Sequence, residues 1–171
     1  MNRSMKMFTA GALVLALVPA LGGATSAPNA NDQVATKQTI TDIRAVGTAM
    51  FSWYKDQAKN LDHHGAEMIK SVDISAIPVI TREDLEAVLV PKYIARIPEK
   101  DGWGNPYEFR LNVDKPKGGK AVMGLRSAGR DGVFSGETYE IGGFALSQFD
   151  QDIPWVDGFF VRWPDPQVQA E

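Results

Sequence analysis

The sequence predicts an α+β protein in which one long helix packs on a small antiparallel sheet. Apolar residues recur at three- and four-residue steps from about Val34 to Ala58, which is the period of an amphipathic helix. After Asp101 the pattern changes to short extended runs separated by glycine-rich turns. Because helix and strands occupy different parts of the chain, the α+β class is favoured.

Composition limits the possible functions. The 171 residues suit a single domain, and the formal net charge of −3 comes with scattered rather than clustered Lys and Arg, which argues against nucleic acid as a partner. The chain has no cysteine. A disulfide framework, a thiol nucleophile, thiolate metal sites and a lipoprotein anchor are therefore excluded.

The first residues have the pattern of an export signal, which we assign to residues 1–26. Arg3 and Lys6 precede an apolar run from Phe8 to Leu21, and small residues follow it. The run is short for a membrane-spanning helix, which needs ~20 residues, and Pro19 interrupts it. The alternative is an uncleaved membrane anchor, the one case in which the protein would contact a membrane. In both cases the rest of the chain is periplasmic or secreted, where calcium is available to weak oxygen-ligand sites.

The body is predicted as a linker at residues 27–33, in which Asn31 or Asp32 caps the helix, and a globular domain at residues 34–171. One face of the long helix carries the apolar stripe, namely Ile40, Ile43, Gly47, Met50 and Tyr54. A packed sheet is the expected partner of this face.

Between helix and sheet, residues 60–80 show no clean period and predict an irregular excursion. It contains His63 and His64, which could ligate a metal, although consecutive loop histidines are more often solvated. Thr81 to Asp84 resembles a capping box that opens a short helix, which Pro91 ends.

Alternation of apolar and polar residues from Tyr107 to Leu111 predicts the first strand. The other elements expected in this half are a hairpin loop at 115–120, a return strand at 121–128, a long glycine-rich loop at 129–143 and a last strand at 157–164.

Three ordered motifs identify a resemblance: "DGWGNPYEF" (101–109), "LRSAGRDGVFSG" (125–136) and "FDQDIPW" (149–155). Together, and after a helix of this kind, they resemble the globular domain of the major pseudopilin of bacterial type II secretion, over about Thr39 to Trp155. The resemblance implies a pilin-like fold. It also implies a non-enzymatic structural or accessory role in a secretion apparatus, with other subunits of the apparatus as partners.

The first motif predicts a tight turn. Gly102 and Gly104 are expected to take positive φ, and Pro106 pushes Asn105 out of the helical region. The turn would fold Trp103 back against the long helix as a lid on the core.

The N-terminus differs from that of the family. Met7 stands where the prepilin leader has a glycine before its cut, and Ala12 stands where the family has a glutamate. This favours a soluble or singly anchored relative over a polymerising subunit.

The resemblance also implies calcium as a ligand. The metal ligands that it implies are the carboxylates of Asp131, Asp150 and Asp152, with backbone oxygens of Ala128 and Phe134. Calcium takes about six to eight hard oxygens in flexible geometry, and it would relieve repulsion between the three carboxylates. The alternative is that these aspartates are solvated turn residues, since Asp favours turns.

Catalytic signatures are missing from the sequence: it contains no G-x-S-x-G, H-E-x-x-H or P-loop motif. Glu137 with Glu140, or Asp150 with Asp152, could serve a glycosidase, but nothing indicates a sugar cleft. Besides the secretion role and a secreted hydrolase, a third hypothesis is a calcium-stabilised secreted binding module that uses the same fold.

We expect the exported chain to begin between Thr25 and Pro28, because the small residues that follow the apolar run are typical of a signal-peptidase site. Mass spectrometry of the N-terminal peptide measures this. An intact Met1 in the exported protein would contradict the prediction, whereas a methylated Phe8 at the N-terminus would indicate processing of the pilin type.

Overall fold

A computed structural model describes residues 30–57, 70–113 and 121–170. The described residues form two helices, α1 (Ala30–Gln57) and α2 (Arg82–Leu89), and nine strands. The strands are β1 (Ser71–Asp73), β2 (Val79–Ile80), β3 (Glu108–Leu111), β4 (Met123–Ser127), β5 (Thr138–Glu140), β6 (Gly142–Ala145), β7 (Ile153–Val156), β8 (Phe159–Phe160) and β9 (Arg162–Asp165). The α+β class is confirmed.

The central sheet has five antiparallel strands in the order β2-β3-β4-β7-β8, and α1 packs on one of its faces. Ile43 and Met50 of α1 are fully buried in one cluster with Phe109 of β3 and Trp155 of β7. Tyr54 and Phe160 pack against the edge of this cluster. The predicted apolar face of the helix is therefore the face that contacts the sheet.

A smaller cluster packs against the opposite face of the sheet. Arg110 of β3 reaches the carbonyl oxygens of Ile74 and Ile77 there. The cluster joins residues from both strands of the β1–β5 sheet and from the following chain to the central sheet. Its members are Val72, Ile74, Ile77, Tyr139, Val156 and Val161. Residues 70–80 and 134–141 thus cover the face that α1 leaves open.

Gly47 allows α1 to lie close to the sheet. A Cβ atom added at this position would come within 2.6 Å of Cε2 of Trp155, whose ring is almost completely buried. Glycine inside a helix costs about 1 kcal/mol relative to alanine. The space that the indole ring needs accounts for a glycine in this unfavourable position.

The short helix α2 forms where the capping box predicts it. Thr81 caps α2, and its Oγ1 accepts a hydrogen bond from the backbone N–H of Asp84 at 3.1 Å. Leu85 and Leu89 are buried in the main cluster, and the helix ends before Pro91. This part of the prediction is confirmed.

Several boundaries differ from the prediction. Asn31 and Asp32 are already helical residues rather than caps, because α1 begins at Ala30 inside the predicted linker. The glycine-rich loop at 129–143 contains β5 and β6. The predicted strand at 157–164 is two strands, β8 and β9, and β9 pairs in parallel with β6.

The turn that closes the β7–β8 hairpin explains where β8 starts. Asp157 has a φ of 46° and Gly158 a φ of 111°, so both lie in the left-handed region and end the extended chain. The carboxylate of Asp157 is held by the backbone N–H groups of Val122 and Met123, and its burial raises its pKa. The pairing of β6 with β9 is a separate matter. It joins segments that are distant in sequence, so no local sequence pattern predicts it.

Some predictions lie outside the described residues: the export signal at 1–26, His63 and His64, and the hairpin loop at 115–120. Among the helices that are described, none combines the length and the apolar character needed to cross a membrane.

We expect Gly47→Ala to lower the free energy of unfolding by about 1–3 kcal/mol through overpacking against Trp155, although alanine is the better helix former. Urea denaturation followed by circular dichroism measures this. Gly142→Ala is the control, since a Cβ added there meets no atom within 4 Å. A Gly47→Ala variant as stable as the wild type would show that the Trp155 ring yields without cost.

Candidate functional site

The turn at residues 101–107 is closed by the carboxylate of Asp101. Its Oδ1 accepts hydrogen bonds from the backbone N–H groups of Trp103 at 3.0 Å and Asn105 at 2.9 Å. Gly104 takes a φ of 94°, as expected for the tightest point of the turn. Asp101 is buried, so these bonds are shielded from water.

This turn docks on the first half of α1. The backbone N–H of Gly102 donates to Oγ1 of Thr39 at 3.0 Å, and Nε1 of Trp103 donates to Oδ1 of Asp32 at 3.2 Å. Trp103 is half-buried against the main cluster, which confirms that it packs on the helix.

Gly102 serves a different purpose from the one predicted. It does not have positive φ. Instead, a Cβ added there would lie 2.2 Å from the carbonyl oxygen of Ala35, so the position is glycine because two backbones nearly touch. The positive-φ prediction was wrong here and confirmed at Gly104.

The same turn holds the segment that follows β4. Oγ of Ser127 donates to Oδ2 of Asp101 at 2.6 Å, and Nδ2 of Asn105 donates to the carbonyl oxygen of Gly129 at 2.7 Å. Next to it, the backbone N–H of Arg130 donates to the carbonyl oxygen of Phe149 at 2.8 Å. Segments from all three sequence motifs therefore meet beside the start of α1.

We call residues 129–132 and 149–152 the loop base, since they are the two ends of the segment that leaves β4 and returns to β7. Gly129 has a φ of 70° there. A Cβ at Gly129 would lie 2.6 Å from the carbonyl oxygen of Phe149. The two ends of the loop base are thus in close backbone contact.

All three aspartates predicted as calcium ligands lie in the loop base, but they have different neighbours. Asp131 is exposed, and its Oδ1 accepts a hydrogen bond from the backbone N–H of Val133 at 3.0 Å. Asp150 is bound at both carboxylate oxygens by Arg130, with Nε–Oδ1 at 2.8 Å and Nη2–Oδ2 at 2.9 Å.

The third aspartate points elsewhere. Asp152 is 4 % exposed, and its Oδ2 accepts hydrogen bonds from the backbone N–H and the hydroxyl of Ser135 and from the hydroxyl of Tyr139. Its Oδ1 is buried and has no hydrogen-bond partner among the described residues. Burial, followed by the hydrogen bond to Asp152, raises the pKa of Tyr139.

The two residues predicted to supply backbone ligands, Ala128 and Phe134, lie on either side of residues 129–132 of the loop base. Ala128 is buried and directly follows β4. Phe134 is half-buried, and the guanidinium carbon of Arg126 lies 3.8 Å from the centre of its ring. This stacking is a cation–π contact.

This arrangement does not fit one calcium ion held by the three aspartates. Within residues 30–57, 70–113 and 121–170, no group of three or more acidic or histidine side chains is close enough to hold a metal. Among the three aspartates, Oδ1 of Asp152 is the oxygen that is buried without a hydrogen-bond partner in the described part of the chain. Asp150 is bound by Arg130, and Asp131 caps its own turn.

The sequence reasoning missed a buried ion-pair cluster on the face of the sheet away from α1. Glu108 of β3 lies between two arginines, with Nε of Arg110 at 2.6 Å and Nε of Arg126 at 2.9 Å. Arg126 also contacts the carbonyl oxygen of Gly136 and the Tyr139 hydroxyl. Strand alternation contained the signal, since apolar residues at 107, 109 and 111 place residues 108 and 110 on the other face.

Electrostatics favour the charged form of Glu108. Burial alone would raise its pKa, but hydrogen bonds and charges from Arg126 and Arg110 outweigh this and hold the pKa below its ordinary value. Glu108 and Arg126 face each other directly across β3 and β4. The pair therefore favours this strand register. Glu108 and Glu137 together balance the charges of Arg110 and Arg126.

Comparisons of the chain with protein-family models, with curated proteins and with solved structures gave no match.

We expect the free energy of unfolding to fall less on acidification in the Glu108→Gln variant than in the wild type. The lowered pKa means that Glu108 stabilises the fold above its unfolded-state pKa, and that this contribution is lost as pH falls through the folded-state pKa. The measurement is urea denaturation at a series of pH values below 6. The control is Glu140→Gln, at an exposed position of β5. Parallel profiles for the wild type and Glu108→Gln would contradict the expectation.

Proposed function

We propose that this chain is an exported, non-enzymatic, pilin-like protein that acts as a structural or accessory component of a type II secretion apparatus. The observation that carries the proposal is the convergence of the three motif segments beside α1. Asp101 bonds to Ser127, and Asn105 bonds to Gly129, although these residues lie far apart in the sequence. Motifs that contact one another in this way support a resemblance that was based on their order alone.

The attachment of α1 to the domain also suits a structural role. The first turn of α1 is held to the domain, because Asp32 accepts a hydrogen bond from Trp103. Gly102 and Thr39 add a second contact between helix and turn. A component that passes force or position from its N-terminus to its globular domain needs a firm connection at this point.

Three of the four acidic residues considered for catalysis are engaged in contacts within the fold. Glu137 pairs with Arg110, Asp150 pairs with Arg130, and Asp152 accepts three hydrogen bonds through one oxygen. These three carboxylates contribute to packing and charge balance. Their engagement favours a structural protein over a hydrolase.

A second candidate is a calcium-stabilised secreted binding module. It is favoured by one observation, the buried and unpartnered Oδ1 of Asp152. Calcium would supply the missing partner of that oxygen, while Asp131 and Asp150 would have to leave their present partners to join it. A melting temperature that rises with calcium but not with magnesium would favour this candidate.

We expect deletion of the gene in the native bacterium to reduce secretion of the enzymes that its type II apparatus exports, because a structural component would be missing. The readout is the activity of those enzymes in the medium relative to the periplasm. Complementation should use the full chain and, in parallel, a chain in which residues 1–26 are replaced by a cleavable export signal. Recovery with both would show a soluble role, and recovery with the full chain alone would show that the natural N-terminus is needed.

Unchanged secretion after deletion would contradict the proposed function. Co-purification with apparatus subunits gives an independent check, since a structural component should remain with them after cross-linking.

A further inference from the structure

We propose that Arg130 is the built-in cation of the loop base, so that the loop stays closed without a metal ion. A metal bound by aspartates was the expectation for this segment, and the geometry places a guanidinium group there instead. The inference rests on contacts of the chain itself and does not depend on the proposed function.

The contact between Arg130 and Asp150 is bidentate. Both carboxylate oxygens are within 2.9 Å of guanidinium nitrogens, which is the fork-to-fork geometry of the strongest arginine–carboxylate pairs. The hydrogen bond to Asp150 raises the pKa of Arg130 further. An arginine side chain is protonated at neutral pH in any case, so the guanidinium is a permanent cation there.

Arg130 also reaches the start of α1. Its Nη1 lies 3.5 Å from Oδ2 of Asp32, whose other oxygen accepts the hydrogen bond from Trp103. Its guanidinium carbon lies 5.7 Å from the centre of the Phe149 ring, which belongs to the other end of the loop base. The side chain of Arg130 thus contacts the helix α1 and two neighbouring residues at the other end of the loop base, Phe149 and Asp150.

A cation between the two carboxylates favours closure of the loop. Asp32 is almost fully buried, Asp150 lies in the turn that precedes β7, and both carboxylates contact the same guanidinium group. Carboxylates held together without a positive charge oppose closure of the loop. Arg130 balances both of them, and its backbone N–H is already fixed to Phe149.

The consequence is a loop whose closure is independent of the calcium concentration. A metal-closed loop opens when the free ion falls below its dissociation constant, because the ion stabilises only the folded state. A guanidinium on the same chain cannot be removed by chelation or dilution. The protein should therefore keep the same loop structure in calcium-poor and calcium-rich media.

The experiment compares the purified wild-type chain with Arg130→Gln and with Arg96→Gln, an equal loss of charge at an exposed arginine. Melting temperatures are measured in chelator, in calcium, and in magnesium at matched ionic strength. Hydrogen–deuterium exchange of residues 129–152 is followed under the same conditions. We expect the wild type to give the same melting temperature and the same exchange in all three media.

Arg130→Gln should exchange several-fold faster at the loop base and melt below Arg96→Gln. The double variant Arg130→Gln/Asp150→Asn should recover part of this loss, since it removes a carboxylate along with the cation. The double variant also serves if Arg130→Gln folds poorly. The proposal is overturned if calcium raises the wild-type melting temperature above that in magnesium, or if Arg130→Gln and Arg96→Gln behave alike.

Discussion

The structure depends on how closely α1 can approach the rest of the chain, and two glycines set that distance. Gly47 admits the ring of Trp155 to the middle of the helix, and Gly102 lets the backbone of the turn contact the backbone at Ala35. Any side chain at position 102 would separate the turn from the helix. The hydrogen bonds of Gly102 to Thr39 and of Trp103 to Asp32 would then lose their geometry, and the main cluster would lose part of its cover.

Arginines balance the acidic side chains on the face of the central sheet that α1 does not cover. On the far face of the sheet, Arg110 and Arg126 share Glu108, and the Tyr139 hydroxyl links Arg126 to Asp152. Buried ion pairs give little net stability, because desolvation offsets most of their attraction, but removing one partner leaves an uncompensated charge. Such a cluster therefore specifies register and layer packing more than it adds to the free energy of unfolding.

The sequence predicted the parts of the fold that local periodicity controls. The apolar stripe containing Ile43 and Met50 identified the core face of α1, the capping box at Thr81 located α2, and alternation from Tyr107 to Leu111 located β3. The parallel pairing of β6 with β9 could not be predicted, since it joins residues that share no local signal. The role of Arg130 was missed for a related reason. Its partners Asp32 and Asp150 are distant in sequence, and only the folded chain brings them together.

A bound ion and a guanidinium group of the same chain differ in how each reaches the site. An ion must be taken from the medium, so the loop that it closes responds to concentration. Arg130 is held beside Asp150 by the chain, through the backbone bond to Phe149 and the contact of Asn105 with Gly129. The cost is the rotamer freedom of one side chain, which is about 2 kcal/mol at most. Since the backbone of the loop base is already fixed by these contacts, the guanidinium has few alternative positions, and the balance of charge is built into the fold rather than supplied by the surroundings.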